Sequence, residues 1–347
     1  MKKRKLHFLI LILIIISIIA FTVKWVRFEN RPIILNDGLT YVVEPGTNIV
    51  QLASDLEKYG DLKNTFFFEL YARLSGAASE LKAGEYYLKG NSTPSQVLAT
   101  LVSGKIVYHP FTLVNGWNIY DVIKVMNQDP DLIHNLKGKT PKEIAKAMHL
   151  KYSSPEGLLY PDTYYFTLHT TESSLLNRAY KKMNRYMNTV WPKRARGLPY
   201  HNQYQALIVA SMVEKESAVV KERPIIADVI LKRLKMWMPL QIDSAVIYGL
   251  EPHFSGNLTR SDLQRKTPYN TYTRYGLPPT PIAMPGPVAI QAALHPVKTK
   301  ALYFVAKGDG SHEFSSTLEA QKKAVDRYQL GSKTKPIKKG KQHETKS

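Results

Sequence analysis

The sequence contains no cysteine, an absence that removes disulfide staples, thiol catalysis and thiolate metal sites together. In an oxidising compartment its stability must come from packing alone. Acidic side chains are scarce too, with 28 Asp and Glu against 48 Lys and Arg, a formal net charge of +20. A further absence concerns processing, since no small-x-small cleavage site follows the first apolar run, which favours a retained anchor over a removed signal peptide.

That run, Phe8 to Val23, is broken only by Ser17 and Thr22. With Leu6 and Trp25 at its edges it approaches the roughly 20 residues a bilayer crossing needs. Lys2, Lys3, Arg4 and Lys5 precede it, against Lys24 and Arg27 after it, so the charge bias puts the N-terminus in the cytoplasm and the rest of the chain across the membrane. Location then weighs against nucleic acid, the partner that a strongly basic chain would otherwise suggest. Part of the excess charge also lies in the tail, where Lys333, Lys335, Lys338, Lys339, Lys341 and Lys346 sit in a polar stretch expected to be disordered. The remainder suits an anionic membrane or an acidic polymer.

Tyr41 to Gly60 passes from an extended apolar run through Pro45 and Gly46 into a helical pattern carrying Ile49, Leu52, Ala53 and Leu56, which predicts a strand, a turn and a helix. Gly116, Asn118, Ile119 and Val122 echo Gly46, Asn48, Ile49 and Leu52, a possible internal repeat of two copies. Between them, Ala83 to Lys105 predicts a strand, a helix start at Ser92-Thr93-Pro94 and a helix end near Gly104.

The segment LIVASMVEKESAVVKERP, Leu207 to Pro224, places carboxylates at the end of an apolar helical stretch. With Leu207 to Val219 as one helix, Val209, Met212 and Val213 share a face with Glu216. A carboxyl so surrounded tends to keep its proton, and a protonated Glu near neutral pH serves as a general acid toward a glycosidic oxygen. A solvated charge or an ion-pair partner is the competing role for such a residue. Glu214, two positions away, faces nearly the opposite side, so the two are not a co-facing catalytic pair.

Several motifs follow in order: EGLLYPDTYYF from Glu156, the VEKES segment, LQIDSAVIYG from Leu240, TPYNTYTRYGLPPTPIAMPG from Thr267, AALHP from Ala292 and LYFVAKGDGSHEFSST from Leu302. Together they resemble the YceG-like family of endolytic murein transglycosylases, bacterial inner-membrane enzymes that cut peptidoglycan glycan strands. The first βα repeat is similar to the LysM-type module, which binds sugar polymers. The resemblance runs from the anchor to about Tyr328. It departs at Thr280, where Gly commonly follows the double proline, and at Gln321, where His is common.

The resemblance implies Glu216 as the catalytic acid; helical spacing alone leaves Glu214 open, and Glu214 then supports the site or pairs locally. It implies a single-acid lyase reaction ending in a 1,6-anhydro sugar, needing neither a metal nor another cofactor. Gln241, Tyr248, Tyr269, Asn270 and Tyr272 fall in motifs resembling the family's cleft and are candidates for sugar binding, with packing as their alternative. Asp243 is a further candidate, although as the residue before Ser244 it reads first as an N-cap. His312, in a predicted hairpin over 308–314, is another candidate that could titrate or donate to sugar. The proline-rich stretch at 276–287 should form a rigid loop walling the cleft.

The expected fold class is α+β, a small LysM-like βα module followed by a larger mixed catalytic domain. The expected organisation is a cytoplasmic basic stub over 1–5, an anchor over 6–26, a linker over 27–38, the module over 39–108, the catalytic domain over 109–330 and a basic tail over 331–347. Expected partners are glycan strands, the inner membrane and peptidoglycan synthases, with no nucleic acid. A water-using muramidase and a non-catalytic peptidoglycan tether remain as alternatives at this stage.

Overall fold

The computed structural model describes residues 2–35 and 37–330; the tail expected to be disordered lies outside the described residues. The described residues form two compact units, one up to 109 with 165–169, the other 110–164 with 170–330. Both mix helices with short strands.

The first unit begins with α1 (Lys2–Asn30), of which the stretch Arg4–Asn30 is apolar enough to cross a membrane. Then come β1 (Leu39–Val43), α2 (Ile49–Tyr59), α3 (Thr65–Leu74), β2 (Gly84–Leu88) and α4 (Pro94–Ser103). β1 and β2 pair antiparallel with Tyr41 opposite Tyr86. α2, α3 and α4 each start where the sequence supplies an acceptor for the free N–H groups of the first turn: Asn48 accepts from Gln51 N–H, Asn64 from Phe67 N–H, and Thr93 forms a reciprocal capping box with Gln96. Gly104, at φ 72°, ends α4. The spacing of Ile49, Leu52, Ala53 and Leu56 buries all four of them in a core completed by Phe68, Tyr86 and Leu101.

β3 (His109–Thr112) leads into the second unit, followed by α5 (Ile119–Met126), β4 (Leu132–Ile133), α6 (Pro141–Ala147), β5 (Thr163–Phe166), β6 (Thr170–Thr171) and α7 (Glu172–Val190). The repeat noted in the sequence is visible as local structure. Gly116 (φ 81°) and Gly46 (φ 91°) both take the left-handed turn, and Asn118 caps α5 as Asn48 caps α2.

The centre of the second unit is α8 (Gln203–Glu216), packed on α9 (Arg223–Lys235) and on α12 (Pro287–Leu294), with α10 (Asp243–Tyr248) beside it and α11 (Arg260–Gln264) further along the chain. β7 (Tyr303–Ala306) and β8 (His312–Ser315) form the expected hairpin, with Ala306 opposite His312, and α13 (Leu318–Val325) follows. Residues 276–286 contain neither helix nor strand, as their prolines require.

Two expectations about α8 are corrected. The helix stops at Glu216 and does not reach Val219, because Ser217 is extended (φ −143°, ψ 129°) and its hydroxyl takes the Val219 N–H at 3.0 Å. Nor is there one apolar face, since every side chain from Ala206 to Val213 is buried. The surroundings of Glu216 follow from its place at the end of a core helix.

Candidate active site

The end of α8 opens on a cavity of about 380 Å³ lined by Glu216, Gln241, Asp243, Tyr272 and His312 together with Arg233, Tyr303 and Gln321. One wall is tied together locally. Ile242 N–H donates to Thr271 Oγ1 at 2.8 Å and Gln241 N–H to the Thr271 carbonyl at 3.1 Å, which ties the LQID segment to the YNTY loop. Gln241 adopts a left-handed φ of 55° there, a conformation costly for a residue other than glycine and of a kind that clusters at functional sites.

Glu216 Oε1 accepts a 2.8 Å hydrogen bond from Ser244 Oγ. Burial pushes its carboxyl from the ordinary 4.5 up to about 7, and the negative charge of Asp243 adds to the rise, while the Ser244 hydrogen bond and Lys215 oppose it. Its position at a helix C-terminus also disfavours an anion. The result is a carboxyl that holds its proton near neutrality and opens onto a polar cavity.

Asp243 is not the N-cap of α10. Ile242 occupies that position with no side-chain cap, and Asp243 is the first helical residue. Its Oδ1 accepts from Tyr272 OH at 2.5 Å. The phenol is thereby held in its neutral form, with burial first and Asp243 second as causes of its raised pKa. Tyr272 is in turn fixed by its N–H donating to Asn270 Oδ1 at 2.9 Å.

Arg233, which sequence reasoning passed over, is buried. It donates to the Leu302 carbonyl at 2.7 Å, the Leu240 carbonyl at 2.8 Å and Gln241 Oε1 at 3.2 Å, and it lies over the Tyr303 ring. One guanidinium thus joins α9, the LQID segment and the residue that leads into the hairpin. A fixed fork of donors suits it to that role. His312 Nδ1 sits 2.8 Å from Glu222 Oε2, while its backbone N–H donates to Glu222 Oε1 at 3.0 Å. Burial acts to raise the Glu222 pKa, but these bonds from His312 outweigh it and hold the carboxylate below its ordinary range. Any contact of the ring with a ligand falls to Nε2.

Three of the residues expected at the cleft do not line this cavity. Asn270 is fully buried, and its amide N–H groups are spent on the carbonyls of Asp262, Leu263 and Arg265 at 3.2, 3.1 and 2.6 Å. Tyr269 donates to or accepts from Thr280 Oγ1 at 2.9 Å and packs on the core. Tyr248 is buried against Tyr269 and close to Glu156. All three order the loops behind the cavity wall.

Glu214 is an ion-pair partner. Arg223 grips it with two bonds of 2.7 and 3.2 Å, and Gly286 N–H donates to its Oε2 at 2.9 Å. Planar bidentate pairing of this kind is the strong form of an ion pair. The pair anchors both the turn after α8 and the proline-rich loop, which Ser211 Oγ also holds through Ile282 N–H at 3.0 Å. Of the two departures noted above, Thr280 is spent on Tyr269 and lies outside the cavity, whereas Gln321 lines it and donates to the Phe304 carbonyl at 3.0 Å.

A second buried carboxyl, Glu156, escaped sequence reasoning. Its Oε2 accepts from Ile119 N–H at 2.9 Å, and burial lifts its pKa to about 8 against the opposing hydrogen bonds of Ile119 and Tyr248. Only its placement before Gly157 hinted at it: that glycine sits at φ 69° so close to Pro281 that a Cβ would collide. Glu156 does not line the cavity and ties α5 to the loop.

An acid held protonated at the end of a core helix, in a cleft of amide and aromatic side chains, has the geometry a general acid requires. The sequence profile of the YceG-like family matches residues 41–327, and the chain belongs to that family. It is 31% identical over 304 residues to the endolytic murein transglycosylase of Bacillus subtilis, covering 82% of this chain and 83% of that protein. It is 27% identical over 303 residues to the endolytic murein transglycosylase of Streptococcus pneumoniae strain D39, covering 77% of this chain but 54% of the longer relative. A crystal structure of a yceG-like protein from Listeria monocytogenes superposes with a TM-score of 0.51 at 26% identity, over 82% of this chain and 98% of that one.

Proposed function

We propose that this chain is a membrane-anchored endolytic transglycosylase that cleaves peptidoglycan glycan strands with Glu216 as its acid. The observation that carries the reading is the Glu216 carboxyl, lifted to about 7 and opening on the cavity. Protonated Glu216 donates to the oxygen linking N-acetylmuramic acid to the next N-acetylglucosamine. Positive character develops at the anomeric carbon and is stabilised by the substrate's own acetamido group. Glu216, now basic, takes the proton of the muramic C6 hydroxyl, whose oxygen closes on that carbon to give a 1,6-anhydro end. One bond breaks, one forms, and Glu216 returns to its protonated state.

Ser244 holds one oxygen of Glu216 and so leaves the other for the glycosidic oxygen. Gln241, Asp243, Tyr272 and His312 line the cavity and bind the sugars on either side of the scissile bond. The first unit's residues 39–108 serve as a LysM-like module that holds the strand, with residues 6–26 as the anchor, residues 1–5 in the cytoplasm and the catalytic domain from 109 to 330 outside the inner membrane. Peptidoglycan synthases are the expected neighbours there, and termination of nascent strands is the expected role. The test is the length distribution of isolated glycan strands after incubation with the full chain. Internal cuts that Glu216→Gln abolishes while the variant stays folded support the reading; uncut strands leave a peptidoglycan tether.

A further inference from the structure

The first unit carries an apolar stripe that its own core does not use. Phe66, Leu70 and Leu74 recur every four residues along α3 and therefore share one face. Phe66 is 65% exposed and Leu74 73% exposed, while Phe68 and Ala72 on the other side are buried and Phe67, at the flank of the stripe, is buried against α1. A short helix with one apolar face in the core and a second in the open has more apolar surface than its fold consumes.

The contacts of α3 with α1 fix where that stripe sits along the span. The Phe67 ring meets Phe21 edge-on at 5.6 Å and Trp25 at 6.0 Å, and Trp25 also contacts Tyr71 at 5.9 Å. Phe21, Thr22 and Trp25 of α1 and Leu70 and Leu74 of α3 line one apolar groove of about 180 Å³. Phe21 belongs to the apolar run whose side chains are all exposed. It lies four residues before Trp25, or about 6 Å along the helix axis. A tryptophan at the end of a span sits at headgroup level. The stripe of α3 therefore shares the depth of the last turns of the span.

We infer that α3 is an interfacial membrane helix, with Phe66, Leu70 and Leu74 inserted among the lipid acyl chains beside the exit of α1. This rests on the membrane-anchor reading of α1. The rim is charged, as a headgroup layer requires: Arg31 and Lys63, both more than half exposed, share Asp61, which leaves one positive charge in excess, and Arg73, 61% exposed and beside Leu74 in the sequence, pairs with Glu69. Basic residues bordering an inserted apolar face are the pattern of helices that lie in the plane of an anionic bilayer. Insertion also gives α1 a fixed partner at its exit, through the aromatic contacts of Phe67. The module then stands against the membrane surface instead of swinging on a tether.

The chain's lack of cysteine permits a direct test on the full protein. Single variants Phe66→Cys and Leu74→Cys, each carrying an environment-sensitive dye, are reconstituted in vesicles of phosphatidylglycerol and brominated phosphatidylcholine. Ile14→Cys, within the apolar run, and Val50→Cys, exposed on α2, are the controls. Bromine quenching at positions 66 and 74 should be roughly two-fold or more, approaching that at 14, with none at 50. Quenching at 14 with 66 and 74 behaving like 50 would overturn the inference while leaving the anchor intact. Absence of quenching at 14 would remove the anchor reading and the inference with it. Circular dichroism of each labelled variant confirms that the fold is kept.

Discussion

Replacing Glu216 with glutamine should stabilise the protein, and the gain should depend on pH. The folded-state pKa of about 7 stands above the ordinary 4.5, so the folded state holds a proton that the unfolded chain releases between those values. Below about pH 4.5 both states are protonated and the residue costs nothing. As pH rises through 7 the fold must accommodate the ionised carboxylate, and stability is lost. Each tenfold change in proton affinity is worth about 1.4 kcal/mol, so the full loss is about 3 kcal/mol. Glutamine keeps the acceptor for Ser244 and carries no charge. The variant should therefore match the parent at pH 4.5 and exceed it at pH 8 by about 3 kcal/mol, or roughly 6–12 °C in melting temperature for a domain of this size. Differential scanning fluorimetry of both proteins across that range provides the measurement. Glu156, whose pKa is also raised, is common to both and cancels in the difference. An equal melting temperature at both pH values would refute the claim that Glu216 is held protonated by its surroundings.

Other expectations concern its neighbours. Asp243→Asn removes a charge that raises the Glu216 pKa and Ser244→Ala removes a bond that lowers it, so the alkaline limb of the pH profile of kcat/KM should move down in the first variant and up in the second; a shift of the same sign in both would contradict the arrangement. Glu214→Ala leaves Arg223 buried without its partner and should cost about 3–5 kcal/mol in denaturant titrations; a variant as stable as the parent would show that the pair is dispensable. Asn270→Ala strips three carbonyls of their donor and should lower stability by about 3 kcal/mol; because Asn270 also holds the Tyr272 N–H, KM of the surviving folded protein should rise, and an unchanged KM would show that Tyr272 keeps its place without it.

Local chemistry was legible in the sequence where one segment sufficed to specify it. The helix start at Thr93, the repeated turn at Gly46 and Gly116, the hairpin that holds His312 and the irregular proline-rich loop all follow from residues within a few positions of one another; the caps at Asn48 and Asn118 lay within that repeat unread. The end of α8 was not, because it depends on Ser217 turning its hydroxyl onto Val219 and on Arg223 reaching back to the Ser217 carbonyl at 3.0 Å. Asp243 had the sequence context of a cap, and only a tyrosine 29 positions away, brought close by the loop, gives it its partner. Arg233 was obscure for the same reason, since its guanidinium reaches the Leu302 carbonyl; Asn270 binds carbonyls only a few positions back, but nothing in the sequence marks its amide as buried instead of exposed. Charged residues in the core are the hardest to read, as Glu156 and Glu214 illustrate, since their burial is decided by elements far along the chain.

The most direct test of the central claim is mass spectrometry of fragments released from purified peptidoglycan in ¹⁸O-labelled water, with Glu216→Gln run alongside. The account predicts 1,6-anhydro-muramic ends free of ¹⁸O that vanish in the variant. Reducing ends carrying ¹⁸O would contradict it and identify a hydrolase, and unchanged release by the variant would remove Glu216 from the chemistry.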